Sequence, residues 1–359
     1  MQARAASERG SPVRPPCAGF PHVAEVRMKL ALSLLLAIGW LLAAPALAQL
    51  APGSMDVQWD RGATDCDAHP PRPLQVHRYN ERTYILRESL CQTYEGPFVY
   101  LLIGTKRALL IDTGDVADAR KMPLASTVVA LLPQVGASRM PLLVVHTHSH
   151  LDHRGGDAQF ASLPDVSIVG TGLAQVVSGF GFRHWPDDVA QIDLGDRIVD
   201  VIPTQGHTDS HVSFYDRVNG LAFTGDFFLP GRLVIGDAAA SRASAGRMAA
   251  FLHDLPVSHV LGGHIELDRQ GNTEPMGASF HPDERPLQLG KDELMTLPAV
   301  LAGFNGFYGR SGVFVMYSQT RMLQLVGATG VLLLIVIALG IRSLLRRRRR
   351  QRALLAGEA

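Results

Sequence analysis

The sequence lacks several features that would assign it to a common class of protein. It has no internal repeat at the spacing of solenoid proteins, and its 35 glycines and 22 prolines are scattered rather than periodic, which excludes a collagen-like or low-complexity chain. It contains no G-x-S-x-G segment, so nothing indicates the serine nucleophile that this motif presents. Cysteine is scarce, with three residues in 359. Hydrophobic residues make up 47% of the chain, which is ample for the core of one large domain or two ordinary ones.

The central part of the chain also has fewer basic residues than acidic ones. The formal net charge is +1, but residues 342–359 carry seven arginines and one glutamate, and residues 1–48 carry five basic and two acidic groups. Residues 49–341 therefore carry a net charge of −8. An acidic body is a poor binder of nucleic acid, because phosphate contacts need lysine and arginine on the binding face. We expect a small-molecule substrate and no nucleic-acid partner.

The N-terminal region predicts export. The segment MKLALSLLLAIGWLLAAPALA, which begins at Met28, has a lysine, an apolar run and then Ala46-Leu47-Ala48, a small-x-small cleavage signature. This is the pattern of a secretory signal peptide with cleavage before Gln49. We interpret residues 1–48 as a leader whose translation starts at Met28.

The C-terminal region predicts a membrane anchor. Residues 322–341 form an uncharged apolar stretch of about the 20 residues that a transmembrane helix needs. The arginines in 342–359 follow it directly, and such a basic flank is typical of the cytoplasmic side. We expect a single-pass membrane protein whose residues 49–321 lie on the extracytoplasmic, periplasmic side.

Between these ends, the sequence predicts an irregular lead-in (49–72), a main domain (73–300) and a juxtamembrane segment (301–321). Cys66 and Cys91 remain after removal of the leader, and in an oxidising compartment they form a disulfide or stay as two buried thiols. In the main domain, short β-like runs alternate with segments of helical spacing, starting with the strand LQVHRY. This alternation predicts an α/β protein with sheets covered by helices.

Polar side chains follow the ends of several predicted strands. The buried run LLVV leads into HTHSHLDHRGG, where the pattern H-x-H-x-D-H comprises His148, His150, Asp152 and His153. Four further residues stand in the same position after other strands: Asp112 after ALLI, His207 after VDVIPTQG, Asp226 after LAFTG and His264 after HVLGG. Strand ends in α/β folds converge on one site, so we expect these residues to lie together. Imidazole and carboxylate ligands favour zinc, with iron and manganese as alternatives.

These motifs, in this order, resemble those of the metallo-β-lactamase superfamily over roughly Leu74 to His264. The resemblance implies an αββα sandwich, followed here by the single transmembrane helix. It also implies roles for individual residues. His148, His150 and His207 would hold one metal ion; Asp152, His153 and His264 would hold a second; Asp226 would bridge the two; Asp112 would support the site without binding metal; His146 and His211 would lie outside the ligand set.

The resemblance further implies a metal-dependent hydrolase. Two zinc ions about 3.5–4 Å apart would share a hydroxide as the nucleophile, and Asp152 would be the catalytic residue that orients it. The TGD and GHTDSHVSFY elements look most like those of glyoxalase II, lactonases and other ester or thioester hydrolases, whereas β-lactamases of the superfamily lack an aspartate at the position of Asp226. We therefore expect an exported, membrane-anchored hydrolase of an ester, thioester or lactone.

Three alternatives stay open: a β-lactamase, a persulfide dioxygenase with a single iron, and a non-catalytic metal-binding membrane protein. Nothing between Ile265 and Arg321 resembles the helical domain with which glyoxalase II holds glutathione. The segments FFLPGRLVIGD and SFHPDERPLQL are expected to line the mouth of the site, with Arg232 or His281 as candidate substrate contacts.

Overall fold

The computed structural model describes residues 10–14 and 50–357, with the side chains only to residue 352. The predicted signal peptide lies outside the described residues. Residues 10–14, the described part of a separate N-terminal unit, have no regular secondary structure. All that follows concerns the unit that begins at Leu50.

Two six-stranded β-sheets form the centre of this unit. The strands are β1 (Leu74–Asn80), β2 (Thr83–Glu88), β3 (Phe98–Ile103), β4 (Ala108–Ile111), β5 (Gln134–Val135), β6 (Ser138–Arg139), β7 (Leu142–Val145), β8 (Val166–Ile168), β9 (Ala190–Asp193), β10 (Ile198–Pro203), β11 (Val212–Asp216), β12 (Leu221–Gly225), β13 (Arg232–Val234), β14 (His259–Gly262), β15 (Gln288–Leu289), β16 (Tyr308–Arg310) and β17 (Val315–Tyr317). The first sheet has the order β1-β2-β3-β4-β7-β8, and the second has the order β15-β14-β12-β11-β10-β9. Strands β4, β7 and β8 run parallel, as do β12 and β14, and the other pairs in these sheets are antiparallel.

Eight helices occur in the described part of the chain. They are α1 (Leu124–Leu131), α2 (Leu151–Arg154), α3 (Asp157–Phe160), α4 (Leu173–Phe180), α5 (Ala238–Leu252), α6 (Lys291–Met295), α7 (Leu297–Ala302) and α8 (Gln319–Gly357). The alternation of short strands and helices that the sequence predicts for the main domain is present.

The two sheets pack face to face because their strands are apolar on both sides. In β3, Phe98 and Tyr100 point into the core between the sheets, where the Tyr100 ring lies 4.6 Å from that of Phe223 in the second sheet. Val99 and Leu101 point the other way, into a core that helix α1 covers. The sequence of a strand that is buried on both faces is a continuous apolar run rather than an alternation of apolar and polar residues.

The outer face of the second sheet is covered in the same way. Met248 and Leu252 of α5 pack with Ile202 and Val260 of this sheet in a third apolar cluster. Helices thus cover the outer face of each sheet, and the predicted αββα sandwich is confirmed.

The described residues also contain a small third sheet that the sequence did not predict. Strands β13, β17 and β16 form a three-stranded sheet, and Phe314 and Met316 are buried in the cluster beneath α5. Strands β16 and β17 lie within residues 301–321, where the sequence predicts a juxtamembrane segment. These strands have only three residues each, too few for an alternating pattern to be recognised.

Helix α8 follows this sheet directly and is the one described helix that is long and apolar enough to cross a membrane. Its candidate span, Gln319–Arg352, has a mean hydropathy of 2.5 over its most apolar part, and none of that part is buried against the protein. The helix begins three residues before the apolar stretch 322–341 that the sequence predicts as the transmembrane segment.

The lead-in before β1 is irregular but is held to the domain. Trp59 is buried and packs edge-on against Phe98, with ring centroids 4.9 Å apart. Cys66 and Cys91 are joined by a disulfide with their Cα atoms 5.6 Å apart, so of the two alternatives the disulfide is confirmed. The bond ties the lead-in to the loop between β2 and β3.

A buried arginine connects the two sheets. The guanidinium of Arg197, which is 1% exposed, donates to both carboxylate oxygens of Asp216 at 2.9 and 2.7 Å. It also donates to the carbonyl of Arg82 at 2.8 Å, at the start of the hairpin strand β2 in the other sheet.

Replacing Arg197 with methionine should lower the free energy of unfolding by about 3–5 kcal/mol, because Asp216 would be left as an unpaired buried charge. Chemical denaturation of the purified protein measures this loss. The matched control is Arg82→Met, whose ion pair with Asp196 is about two-fifths exposed and should be worth less than about 1 kcal/mol. Equal losses in the two variants would contradict the prediction.

Candidate metal centre

The polar residues predicted at strand ends meet at one edge of the sandwich. Strands β4 and β7 are parallel neighbours in the first sheet, and β12 and β14 are parallel neighbours in the second. Their carboxyl ends therefore lie side by side and present Asp112, the histidine cluster, Asp226 and His264. His207 comes from the loop between β10 and β11.

Three imidazoles and one carboxylate form a first group. Nδ1 of His150 lies 3.0 Å from Nε2 of His148 and 3.0 Å from Nε2 of His207. Oδ2 of Asp226 lies 3.9 Å from Nε2 of His148 and 3.5 Å from Nε2 of His207. All four ligand atoms lie within 4.8 Å of one another.

Two imidazoles and two carboxylates form a second group. Nε2 of His153 and Nε2 of His264 are 3.2 Å apart, and each lies 3.1 Å from Oδ2 of Asp152. Oδ1 of Asp226 lies 3.3 Å from both of these nitrogens. The two oxygens of Asp226 therefore face different groups, and this residue is common to both.

These distances fit ligands gathered around cations. Atoms about 2.0–2.1 Å from one tetrahedral zinc ion lie about 3.3 Å from one another, close to the 3.0–3.3 Å separations that dominate both groups. Oδ1 of Asp226 is buried and has no hydrogen-bond partner among the described residues, which leaves a lone pair for an ion. The donor atoms of both groups thus fit bound metal.

The electrostatics of the site also favour a cation. Burial lowers the pKa of His148 well below its ordinary value, so this imidazole is neutral, as a metal ligand must be. Burial opposes the charge of Asp226, but the imidazoles of His264 and His153 hold its pKa well below the ordinary value. Burial also opposes the charge of His153 and His264, but Asp226 and the other carboxylates beside them raise the pKa of both imidazoles well above the ordinary value. A cation bound to the second group would replace those protons.

Asp112 holds the histidine cluster in position through hydrogen bonds and belongs to neither group. Its carboxylate accepts from the backbone N–H of Thr147 at 2.7 Å and lies 2.8 Å from Nδ1 of His153. A carboxylate on Nδ1 leaves Nε2 free to bind metal and sets the orientation of the ring. Asp112 has a φ of 65°, a backbone conformation that few residues other than glycine adopt.

Glycines next to the ligands allow the strands to approach closely. A Cβ atom on Gly263 would lie 2.7 Å from Oδ1 of Asp226, and one on Gly225 would lie 2.6 Å from Cβ of Thr147. Gly225 also has a φ of 47°. A side chain at Gly263 would displace the candidate ligand Asp226, and one at Gly225 would displace Thr147, the neighbour of His148.

Two other histidines of the cluster lie outside both groups, as the sequence predicts. Nε2 of His146 is 2.8 Å from Asp157, which makes this residue a structural one. His211 is buried, with Nδ1 2.9 Å from the hydroxyl of Thr204, and its ring stacks on that of His148.

The sequence reasoning missed Glu95, and both candidate substrate contacts that it named have partners within the protein. Oε2 of Glu95 lies 3.6 Å from Nε2 of His264, but the glutamate stands in an ordinary loop and no motif distinguishes it. Arg232 is bound to Glu266 at 3.1 Å, and His281 is buried with Nδ1 2.7 Å from Glu284. Both of these side chains are engaged within the protein, so neither is free at the mouth.

Comparison with known proteins agrees with this arrangement. A family model described as the metallo-β-lactamase superfamily matches residues 93–276, a range that includes every residue of both groups. Hydroxyacylglutathione hydrolase of Aeromonas hydrophila is 30% identical over 45% of this chain and 59% of its own length. An acyl-coenzyme A thioesterase of Gallus gallus is 27% identical over 46% of this chain and 68% of its own length. The match thus spans about three fifths of the length of the first relative and two thirds of the second.

Among solved structures, the metallo-β-lactamase from Pontibacter korlensis is 17% identical and aligns with 64% of this chain and 100% of its own, with a TM-score of 0.45.

Proposed function

The chain belongs to the metallo-β-lactamase superfamily, and on this premise we propose that it is a hydrolase of thioesters, esters or lactones with two zinc ions. The observation that carries the proposal is the placement of Asp226, whose Oδ2 faces the first group and whose Oδ1 faces the second. A carboxylate shared in this way sets the spacing of two ions. The names of the two relatives described above support a thioester as the substrate.

Within this proposal, the residues of the chain hold the two metal ions and orient the attacking water. Zinc bound to both groups would lower the pKa of a water molecule and polarise the carbonyl of the substrate. His148, His150 and His207 would hold one ion, and Asp152, His153 and His264 would hold the other. Asp152 is 22% exposed in its side chain, so it lies at the surface of the site, where its carboxylate can accept a proton from the attacking water. The rings of His148, His153 and His264 are buried, whereas His150 is exposed.

The test is a metal count together with a substrate panel. Purified full-length protein in detergent should contain about two zinc ions per chain by mass spectrometry and hydrolyse an acyl thioester faster than a β-lactam. Chelation should abolish hydrolysis, and added zinc should restore it. A protein with a single iron that consumes oxygen with a persulfide would contradict the proposal and favour a dioxygenase, whereas metal binding without turnover of any substrate would favour a non-catalytic role.

We propose further that the catalytic domain lies on the extracytoplasmic side of the membrane, with α8 spanning the bilayer and the arginines after it in the cytoplasm. The apolar span of α8 and the basic residues behind it support this orientation. A reporter that is active only outside the cytoplasm should stay silent when fused after Ala359 and should be active when it replaces the chain from Met322 onward. The reverse pattern would contradict the orientation.

A further inference from the structure

A cavity of about 520 Å³ lies where helix α8 leaves the catalytic domain. Two of its lining residues, Ser318 and Gln324, flank the start of α8, and a third, Asp237, stands at the start of α5. The volume falls within the range of ordinary small-ligand sites. None of its lining residues belongs to the two metal-binding groups.

The charge of the cavity comes mainly from two arginines. Arg242 on α5 and Arg321 on α8 both line it. Arg242 donates through Nε to the carbonyl of Leu301 at 3.0 Å, which fixes the direction of its guanidinium. Within the described residues, neither arginine forms an ion pair with a carboxylate.

The acidic residue in the cavity, Asp237, forms no ion pair with either arginine in the described part of the chain. Oδ1 of Asp237 accepts from the backbone N–H groups of Ala239 and Ala240 at 2.8 and 3.0 Å, so it is engaged in capping α5. Gly306, with a φ of 86°, leaves room for Arg321, because a Cβ atom there would lie 2.7 Å from Nη1 of the arginine. The cavity therefore presents two guanidinium groups to one polar space, the arrangement with which proteins bind phosphate.

The position of the cavity indicates where such a phosphate comes from. Directly after Arg321, the side chains of Leu323, Leu325 and Val326 are exposed, with 52–67% of their surface accessible. If α8 spans the membrane as proposed above, these side chains enter the hydrocarbon layer and the cavity lies at the level of the lipid head groups. Arginine side chains within a Debye length of a bilayer surface attract anionic lipid head groups, and guanidinium groups bind phosphate.

The same backbone segment connects the cavity with the metal centre. Gly236 and Asp237 line both this cavity and a second one of about 340 Å³ that contains His207. The backbone N–H groups of both residues donate to the carbonyl of Gly206 at 2.8 Å, and the carbonyl of Val234 lies 3.0 Å from Nδ1 of His207. A ligand in the first cavity would therefore lie against the segment that positions a proposed metal ligand.

We propose that this cavity binds the phosphate group of an anionic membrane lipid between Arg242 and Arg321, and so holds the mouth of the metal centre against the membrane surface. The proposal rests on the proposed membrane attachment of α8. It does not rest on hydrolysis, since lipid binding can be measured without turnover.

The experiment counts retained lipid in the full-length protein. The protein is placed in nanodiscs that contain phosphatidylglycerol and phosphatidylcholine in equal amounts, and native mass spectrometry identifies the lipid that stays bound after release. We expect phosphatidylglycerol to be retained over phosphatidylcholine at least about tenfold, and the double variant Arg242→Gln, Arg321→Gln to show only the smaller preference that the arginines after α8 give. The arginines after α8 are present in every variant, so the difference reports on the cavity.

Two controls keep the result interpretable. Arg321→Gln alone should lose most of the preference. Because this variant keeps the hydrogen bond between Arg242 and Leu301, it tests the cavity even if the double variant fails to fold. Arg78→Gln, which removes an exposed arginine outside the cavity, should leave the preference unchanged. Equal retention of the two lipids by the parent protein, or an unchanged preference in Arg321→Gln and the double variant, would overturn the proposal. Binding of inorganic phosphate without retention of phosphatidylglycerol would also overturn it, since the source would then be a soluble anion.

Discussion

Asp226→Ala should retain its fold but lose at least one of the two metal ions and slow hydrolysis by about a thousandfold or more. Each oxygen of this carboxylate faces one of the two groups, at 3.5 Å from Nε2 of His207 and 3.3 Å from Nε2 of His264. Its removal leaves the first group without a carboxylate and the second group with Asp152 alone, and the transition-state stabilisation that a metal supplies is worth several kcal/mol. The fold should persist because the residue packs no apolar surface and its burial as a charge is itself costly.

The measurement combines metal content, hydrolysis rate and thermal unfolding of the same preparation. The matched control is Asp209→Ala, which removes an exposed aspartate from the loop that carries His207 and should change none of the three. Full activity in the Asp226 variant would exclude a bridging role. If the Asp226→Ala variant lost its cooperative unfolding transition, Asp226 would be required for the fold. The slower hydrolysis would then be explained by unfolding rather than by the loss of metal ions.

The metal centre could be predicted from the sequence because each ligand follows a recognisable strand. The run LLVV is apolar throughout, as expected for a strand buried on both faces, and the first candidate ligand, His148, comes three residues after it ends. LAFTG and HVLGG have the same form. Parallel strands in α/β sheets end at the same edge, so these short patterns also predict that residues more than a hundred positions apart in the chain lie together.

Other features could not be predicted because they depend on contacts between distant parts of the chain. Strands β13, β16 and β17 have three residues each, and the sheet they form is stable because Phe314 and Met316 pack beneath α5. Arg232 forms an ion pair with Glu266, which lies 34 positions further along the chain, so no local pattern could predict that this arginine is engaged. The cavity beside α8 likewise combines residues from three elements, and no local pattern brings Arg242 and Arg321 together.

Asp152→Asn should separate the binding of metal from catalysis. We expect the variant to keep more of its metal than Asp226→Ala, because Asp152 faces only the second group, at 3.1 Å from both His153 and His264. An asparagine oxygen can still approach the cation, but the amide cannot accept a proton from the attacking water. General-base assistance contributes about 10²–10⁴-fold to rates, so kcat should fall by at least about a hundredfold.

The decisive comparison is kcat against KM at saturating zinc. If Asp152 orients and deprotonates the nucleophile, kcat falls, KM stays close to that of the parent protein, and the zinc content recovers as the metal concentration is raised. If Asp152 only holds the second ion, added zinc restores kcat as well, and the catalytic assignment is wrong. Asp209→Asn is the matched control, since it makes the same chemical change on an exposed part of the loop that carries His207. The two outcomes differ because an amide can partly replace a carboxylate as a ligand but cannot replace it as a base.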